Sequence, residues 1–400
     1  MRILLLSWEY PPVVEGGLAR AVRKLSEQLV RHGAEVHVLT RGGGRLAPEE
    51  DRHGVTVHRV HEPTYPKGDV EAFIGWVDGM NADMLARGRE LFERFDFDLV
   101  HSHDWLVAGA AEPLARRHGC PWAVTVHATE FGRHQGWVDK YPQSHIHGIE
   151  GRMVCRADAV IACSDYMRGH IASAFEVSPR RITVIPNGID PRDLESFAGD
   201  LEELRLRYAG RDERLVLLVG RLVYEKGFHL ALDALACAVK RFGDVRFVVA
   251  GTGTAEGELK KQARKLGLMK RGSFLGWVGD DMLHSLYRVS DVCIVPSIYE
   301  PFGLVALEAM ASGCLTIVAD TGGLREVVPG DGSVGRRFRS RDSDSLGAML
   351  EDVLADEEGR QRLVAAAREH VLKFDWAAVG GAMLELYGGL VTARPVMSAR

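Results

Sequence analysis

A chain of 400 residues with 46% hydrophobic content is long enough for two or three domains and apolar enough to pack their cores, which excludes a disordered or fibrous protein. Its formal charge of -5, from 50 basic and 55 acidic residues, comes without a basic stripe or a long charge run, which argues against nucleic acid or an anionic membrane as the main partner. The expected partner is a small molecule. The six cysteines are scattered, with no C-x-x-C pair and no metal-like spacing; they read as buried thiols of a reducing cytosol. The apolar stretch in "MRILLLSWEY" is too short for a signal sequence, and no run of about 18 apolar residues follows. A cytoplasmic protein without an integral membrane segment is expected.

In chain order, the strand candidates of the first half are "RILLL", "EVHVLT", "VTVHRV", "DLVHSH", "WAVTVH", "DAVIACS" and "ITVIPN". Those of the second half are "LVLLVG", "VRFVVAG", "SFLGW", "DVCIVPS" and "LTIVAD". Amphipathic stretches separate them, with Leu18, Val22, Leu25, Leu29 and Val30 at helical spacing. Such alternation predicts α/β parallel sheets covered by helices. Between residues 61 and 95 lie possible acceptor contacts, though "AFIGWV" reads as a helix face packed on the core. Pro186, Asn187, Gly188 and Pro191 cluster before a charged, weakly apolar stretch, and the hinge is placed there. Two Rossmann-like domains are expected, 1–187 and 188–375, facing one another across a cleft that receives the strand-end loops of each. Residues 376–392 form a C-terminal helix returning to the first domain, and "VTARPVMSAR" is a frayed end.

The loops after these strands carry the polar groups. Gly16 and Gly17 permit positive φ and a close approach of phosphate to the helix start, or simply complete a strand-to-helix turn. His103, Asp104 and Trp105 end a strand; Asp104 orients the histidine, binds a hydroxyl, or caps the next helix. His127 is either satisfied by backbone or part of a site with Glu130, Arg133 and His134. Arg221 and Lys226, after a strand and before a helix, suit a diphosphate better than ordinary surface cations do. Gly251 and Gly253 make room for a nucleotide, but Glu256 stands where G-x-G-x-x-G needs its third glycine, so a dehydrogenase fails at its fingerprint. Asp96 and Asp98 precede their strand, at the wrong end for a metal site, and read as a solvated turn; residues 342–344 are a polar loop.

"SIYEPFGLVALEAMASG", "VGRLVYEKG", "VHSHDW", "VIPNGID" and the glycine pair together resemble the retaining glycosyltransferases of the glycogen-synthase-like group, family four and its relatives, which share the GT-B fold. The resemblance covers essentially the whole chain. It implies that Glu300 binds donor-sugar hydroxyls beneath the reacting carbon and that Glu308 holds the ribose hydroxyls. The N–H groups of Gly303, Leu304 and Val305 would take the distal phosphate, with Arg221 and Lys226 on the diphosphate. His127 would bond the sugar with Asp104 nearby, Gly16 and Gly17 would close on the phosphates, and Gly276 and Trp277 would wall the base. Glycogen synthases of bacteria carry a lysine where this chain has Val14, followed by Glu15. "SWEYPPVVEGGLAR" and "HATEFGRHQGW" look closer to actinobacterial α-glucosyltransferases that extend α-1,4-glucan or methylglucose polysaccharide chains.

Expulsion of a diphosphate from a nucleotide sugar requires cations and helix N–H groups at the leaving oxygen, which these loops supply without a metal. A retaining hydrolase would need two carboxylates about 5 Å apart, whereas Glu300 lies in a loop and Glu308 within a helix. The resemblance thus implies a metal-independent hexosyltransferase with UDP-glucose or ADP-glucose as donor, an α-glucan or other glycan as acceptor, and no cofactor. Alternatives are transfer of mannose or another hexose to a lipid or small metabolite, and a non-catalytic nucleotide-sugar binder on the same fold.

Overall fold

A computed structural model describes residues 1–42, 46–62, 66 and 70–393 of the chain. They form two compact units: Met1–Gly188 with the chain from Trp376 on, and Ile189–Asp375.

In the first unit the strands are β1 (Arg2–Leu6), β2 (Glu35–Arg41), β3 (Glu49–Arg52), β4 (Val55–Val60), β5 (Leu99–His103), β6 (Trp122–Val126), β7 (Ala159–Ala162) and β8 (Ile182–Val184). They make one sheet in the order β3-β4-β2-β1-β5-β6-β7-β8. Every pair is parallel except β3 with β4. Central strands such as "RILLL" and "WAVTV" are buried on both faces by flanking helices, which is why they read as unbroken apolar runs. The polar strand "EEDR" of β3 pairs only at the edge, and no apolar pattern announced it.

The second unit contains β9 (Arg214–Val219), β10 (Val245–Ala250), β11 (Gly272–Gly276), β12 (Val292–Val295), β13 (Leu315–Ala319) and β14 (Arg336–Phe338). Their order, β11-β10-β9-β12-β13-β14, is fully parallel. In sequence order that is 3-2-1-4-5-6, the doubly wound arrangement whose strand order reverses between the first and fourth strands. The same reversal occurs between β1 and β5 in the first unit. Each reversal opens a crevice at the carboxyl ends of two neighbouring strands, so the loops after β1, β5, β9 and β12 are the places to look for a ligand.

After Asp375 the helix Trp376–Ala393 packs against the helix Gly17–Arg31 of the first unit. Trp376, Val379, Met383 and Tyr387 are its buried face, each worth roughly 1.5–3 kcal/mol on burial. Gly380 allows the close approach, since a Cβ there would lie 2.9 Å from Gln28. The frayed end expected for 391–400 falls outside the described residues from 394 on, while 391–393 still belong to the helix. Some of the segment 61–95 likewise lies outside the described residues, but Ile74, Trp76 and Val77 of "AFIGWV" are buried in the core.

Two sequence expectations need correction. Cys155 and Cys237 are exposed, not buried; all six cysteines are free. Both lie on helices whose solvent faces reach them, a placement that an apolar-run reading cannot see. Asp96 and Asp98 do sit at the amino end of β5, where Asp98 accepts from the Arg2 N–H at 2.7 Å. The second corrected expectation is the polar loop at 342–344: Asp342 caps the helix Ser343–Ala355 by accepting from the Ser345 N–H, so Ser343 and Asp344 form its first turn. No described helix is long and apolar enough to cross a membrane.

Candidate active site

The loop after β9 and the loop after β12 meet at the reversal point of the second unit. The Glu225 carbonyl accepts from the N–H groups of Ile298 at 2.8 Å and Tyr299 at 3.3 Å. Gly227 (φ +66) makes the close contact possible, because a Cβ there would lie 2.0 Å from the Pro296 carbonyl oxygen. This juxtaposition brings Lys226 Nζ to 2.8 Å from Glu300 Oε2, and the two side chains are only 22% and 13% exposed. Ser297 Oγ donates to the same oxygen at 2.9 Å. With Oε2 held twice, Oε1 has no partner among the described residues and is the oxygen left to accept from a ligand hydroxyl. Lys226 is therefore ion-paired rather than a free cation. Arg221 lies 3.7 Å from Glu225 and is half exposed, an ion pair of small energetic weight.

Beyond Glu300 the chain turns through Gly303 (φ +122, where a Cβ would lie 2.8 Å from Leu324) into the helix Leu304–Ala311. The helices starting at Leu201, Ser343 and Glu357 are each capped by an aspartate side chain. This one has no side-chain cap. Among the described residues nothing accepts from the N–H groups of Gly303, Leu304 or Val305. Open N–H groups and the positive end of the helix dipole favour an anion there. One turn on, Glu308 Oε2 accepts from the buried Tyr287 hydroxyl at 2.9 Å, so the two glutamates are held by different partners.

The glycines after β10 are also required by the packing of their own loop. A Cβ at Gly251 (φ +146) would lie 1.9 Å from the Gly220 carbonyl oxygen, and one at Gly253 would lie 2.3 Å from that of Leu222. They let the loops after β9 and β10 pack backbone to backbone, reinforced by Leu222 N–H to the Thr252 carbonyl at 2.8 Å. Gly276 (φ +70) ends the edge strand β11, its carbonyl accepting from the Gly251 N–H at 2.7 Å, and Trp277 is 68% exposed.

At the reversal point of the first unit, Asp104 is nearly buried and held at φ +61, a conformation costing about 1–3 kcal/mol for a non-glycine residue. It does not cap the helical turn that follows. Instead its Oδ1 accepts from the backbone N–H of His127 at 2.7 Å, joining the ends of β5 and β6. Oδ1 is thus committed to the backbone, and among the described residues neither carboxylate oxygen bonds a histidine ring. His127 Nε2 lies 3.0 Å from His103 Nδ1. Burial drives the pKa of both histidines down, so both are neutral at pH 7. Behind them, Glu150 accepts from the Glu130 N–H through both oxygens, and His134 pairs with Glu130 at 3.0 Å.

Glu9, on the loop after β1 at the reversal point of the first unit, is a buried carboxylate that the sequence reading passed over. It is 2% exposed, and its Oε2 accepts from the N–H groups of Glu15 and Gly16. Arg41 fixes the same loop by pairing with Glu15 at 2.6 Å. Gly16 itself is extended, with φ -169, and Gly17 begins the helix. Neither glycine uses positive φ. What Gly16 provides is space, since a Cβ there would meet nothing within 4 Å. A lone acid after "LLLS" is the signal that could have revealed Glu9.

Burial, ahead of the two backbone hydrogen bonds that oppose it, pushes the Glu9 pKa from 4.5 up to about 7. Between these values the unfolded chain releases this proton while the folded protein keeps it, so stability falls as pH rises through the window, by roughly 3 kcal/mol. Glu9→Gln should flatten that fall and raise the melting temperature at pH 8 relative to wild type. Parallel pH profiles of thermal unfolding check this, and unchanged profiles would remove the assignment.

Residues 15–193 match the family described as Glycosyltransferase Family 4, and residues 206–370 match Glycosyl transferases group 1. The chain is 37% identical to the glycogen synthase of Mycobacterium tuberculosis (strain ATCC 25618 / H37Rv), over 97% of this chain and 94% of that one. It belongs to the group 1 and family 4 glycosyltransferases. This glycosyltransferase is also 33% identical to the D-inositol 3-phosphate glycosyltransferase of Frankia alni, over 93% of its own length and 94% of the relative's. The crystal structure of Anabaena Alr3699/HepE in complex with UDP-glucose matches it with a TM-score of 0.78 at 22% identity, covering 98% of this chain and 100% of that one. The glycosyltransferase thus has the GT-B fold of two parallel-sheet domains, and is a hexosyltransferase.

Among its described residues no group of three or more His, Cys, Asp or Glu side chains is placed to share a metal ion.

Proposed function

We propose that this glycosyltransferase moves glucose, with retention and without a metal ion, from UDP-glucose or ADP-glucose to an α-glucan, forming α-1,4 linkages. The observation that carries the reading is Glu300, held by Lys226 and Ser297 with one oxygen left over, immediately before the uncapped helix start at Gly303. Glu300 sits under the reacting carbon and meets its growing positive charge. The N–H groups of Gly303, Leu304 and Val305, with Lys226 and Arg221, take the departing diphosphate. Glu308 anchors the ribose, while Gly251, Gly253, Gly276 and Trp277 frame the nucleotide. On the first unit, His127 hydrogen-bonds the sugar as a neutral group. Asp104 sets the height of that residue through its backbone, and Gly16 and Gly17 give the phosphates room.

Glucose and a glucan acceptor are supported by the 37% identity to a glycogen synthase, and UDP by the UDP-glucose complex of the solved neighbour. The six free cysteines suit a cytoplasmic, reducing compartment. A second reading, a sugar- or inositol-phosphate acceptor, is favoured by the 33% identity to an inositol-phosphate glycosyltransferase. A panel of UDP-, ADP- and GDP-hexoses against maltooligosaccharides and inositol phosphate, with linkage analysis of products, separates them. Glucosyl transfer to maltooligosaccharide through α-1,4 bonds is expected. Transfer only to inositol phosphate would replace the first reading by the second, and nucleotide-sugar binding without transfer to any acceptor would favour a non-catalytic binder.

A further inference from the structure

His101 and His103 alternate along β5, and so point from the same face of the sheet. Their ring centroids are 4.3 Å apart. His101 has both nitrogens occupied: Nε2 by Thr125 Oγ1 at 2.8 Å and Nδ1 by the hydroxyl of Tyr387 at 2.6 Å. Tyr387 is fully buried and comes from the C-terminal helix. His103 is 1% exposed, and its Nε2 is sealed from solvent with no hydrogen-bond partner. The neighbouring His101 has no nitrogen left to offer it.

The pair formed by His103 Nδ1 and His127 Nε2 shares one proton, because burial keeps both rings neutral. If His127 were the donor, the proton of His103 would sit on Nε2, leaving a buried N–H with nothing to bond. If His103 donates, its sealed Nε2 is a bare lone pair, which we take as the smaller loss by analogy with the backbone, where buried N–H groups without a partner are rarer than under-satisfied acceptors. The remaining proton of His127 then lies on Nδ1, which has no partner among the described residues.

We propose that His103 is a positioning residue that fixes the proton of His127 on Nδ1, so that this ring meets its ligand as a hydrogen-bond donor. Thr125 and Tyr387 complete the device by occupying His101, which keeps the sealed side of His103 free of a competing donor. That the ligand is the donor sugar rests on the reading under Proposed function; the tautomer does not.

Long-range 1H–15N correlation spectra of 15N-histidine-labelled protein, with His127 assigned by its loss in His127→Gln, test this. Wild type should show protonated Nδ1 and bare Nε2 at His127. His103→Leu should shift that ring toward Nε2–H and lower kcat/KM roughly tenfold, about the worth of one hydrogen bond. His103→Asn, whose amide N–H can replace the Nδ1–H, should restore both. A wild-type His127 protonated on Nε2 overturns the proposal, as does a folded His103→Leu protein whose His127 tautomer is unchanged. The wild-type spectrum decides even if the leucine variant does not fold. If the tautomer is as stated but His127→Gln keeps full transfer, the positioning device stands and the sugar role of His127 fails.

Discussion

Replacing Glu300 by glutamine should lower kcat by at least about a hundredfold while the protein remains folded, because a preorganised group facing charge that develops in the transition state is typically worth 10²–10³. Glutamine keeps the volume and an acceptor for Ser297, which lies 2.9 Å from Oε2, so the change removes charge and little else. Lys226 is still 22% exposed, and water can solvate it once its partner is neutral. Circular dichroism and thermal unfolding close to wild type, together with single-turnover rates, separate lost chemistry from lost structure. Near-normal turnover would take Glu300 away from the reacting centre.

Lys226→Ala should cost about 10²–10³ in kcat/KM for the donor, by a different route. Its ammonium has two tasks in the account: it orients Glu300 across 2.8 Å, and it stands at the helix entrance where the diphosphate is proposed to leave. The variant also leaves Glu300, 13% exposed, without its cation. Breaking a fully buried pair costs 3–5 kcal/mol, and partial exposure on the lysine side reduces this to about 1–2 kcal/mol. The double variant with Glu300→Gln distinguishes the tasks. If Lys226 also serves the phosphate, the double variant is slower than Glu300→Gln alone. Equal rates would confine Lys226 to orienting the glutamate.

The sheet frameworks were legible because parallel strands buried on both faces write themselves as continuous apolar runs, as in β1 and β9. The polar edge strand β3 and the short β14, "RRF", carry no such signature, and their pairing depends on neighbours distant in sequence. Lys226 could be singled out from its place in a strand-end loop, whereas the roles of Glu300 and Gly303 rest only on the resemblance of "SIYEPFGLVALEAMASG" to a known family. That Lys226 and Glu300 touch could not be read from either, since it requires Gly227 to pass against Pro296. Gly251 and Gly253 carry a second demand that a linear pattern does not contain: their smallness also lets their loop pack against the one after β9. Glu9 was hidden by its surroundings, a single carboxylate whose partners are backbone N–H groups six and seven residues on. The bond between His101 and Tyr387 spans 286 positions, and only the return of the last helix to the first unit creates it.

The most direct test of the central claim follows the anomeric configuration of the product by NMR when the protein is incubated with UDP-glucose or ADP-glucose and maltooligosaccharide in excess EDTA. The account predicts an α-linked glucosyl product, with the donor's configuration retained and one nucleoside diphosphate released per bond formed. A β-linked product, or transfer abolished by EDTA and restored by a divalent cation, would contradict it.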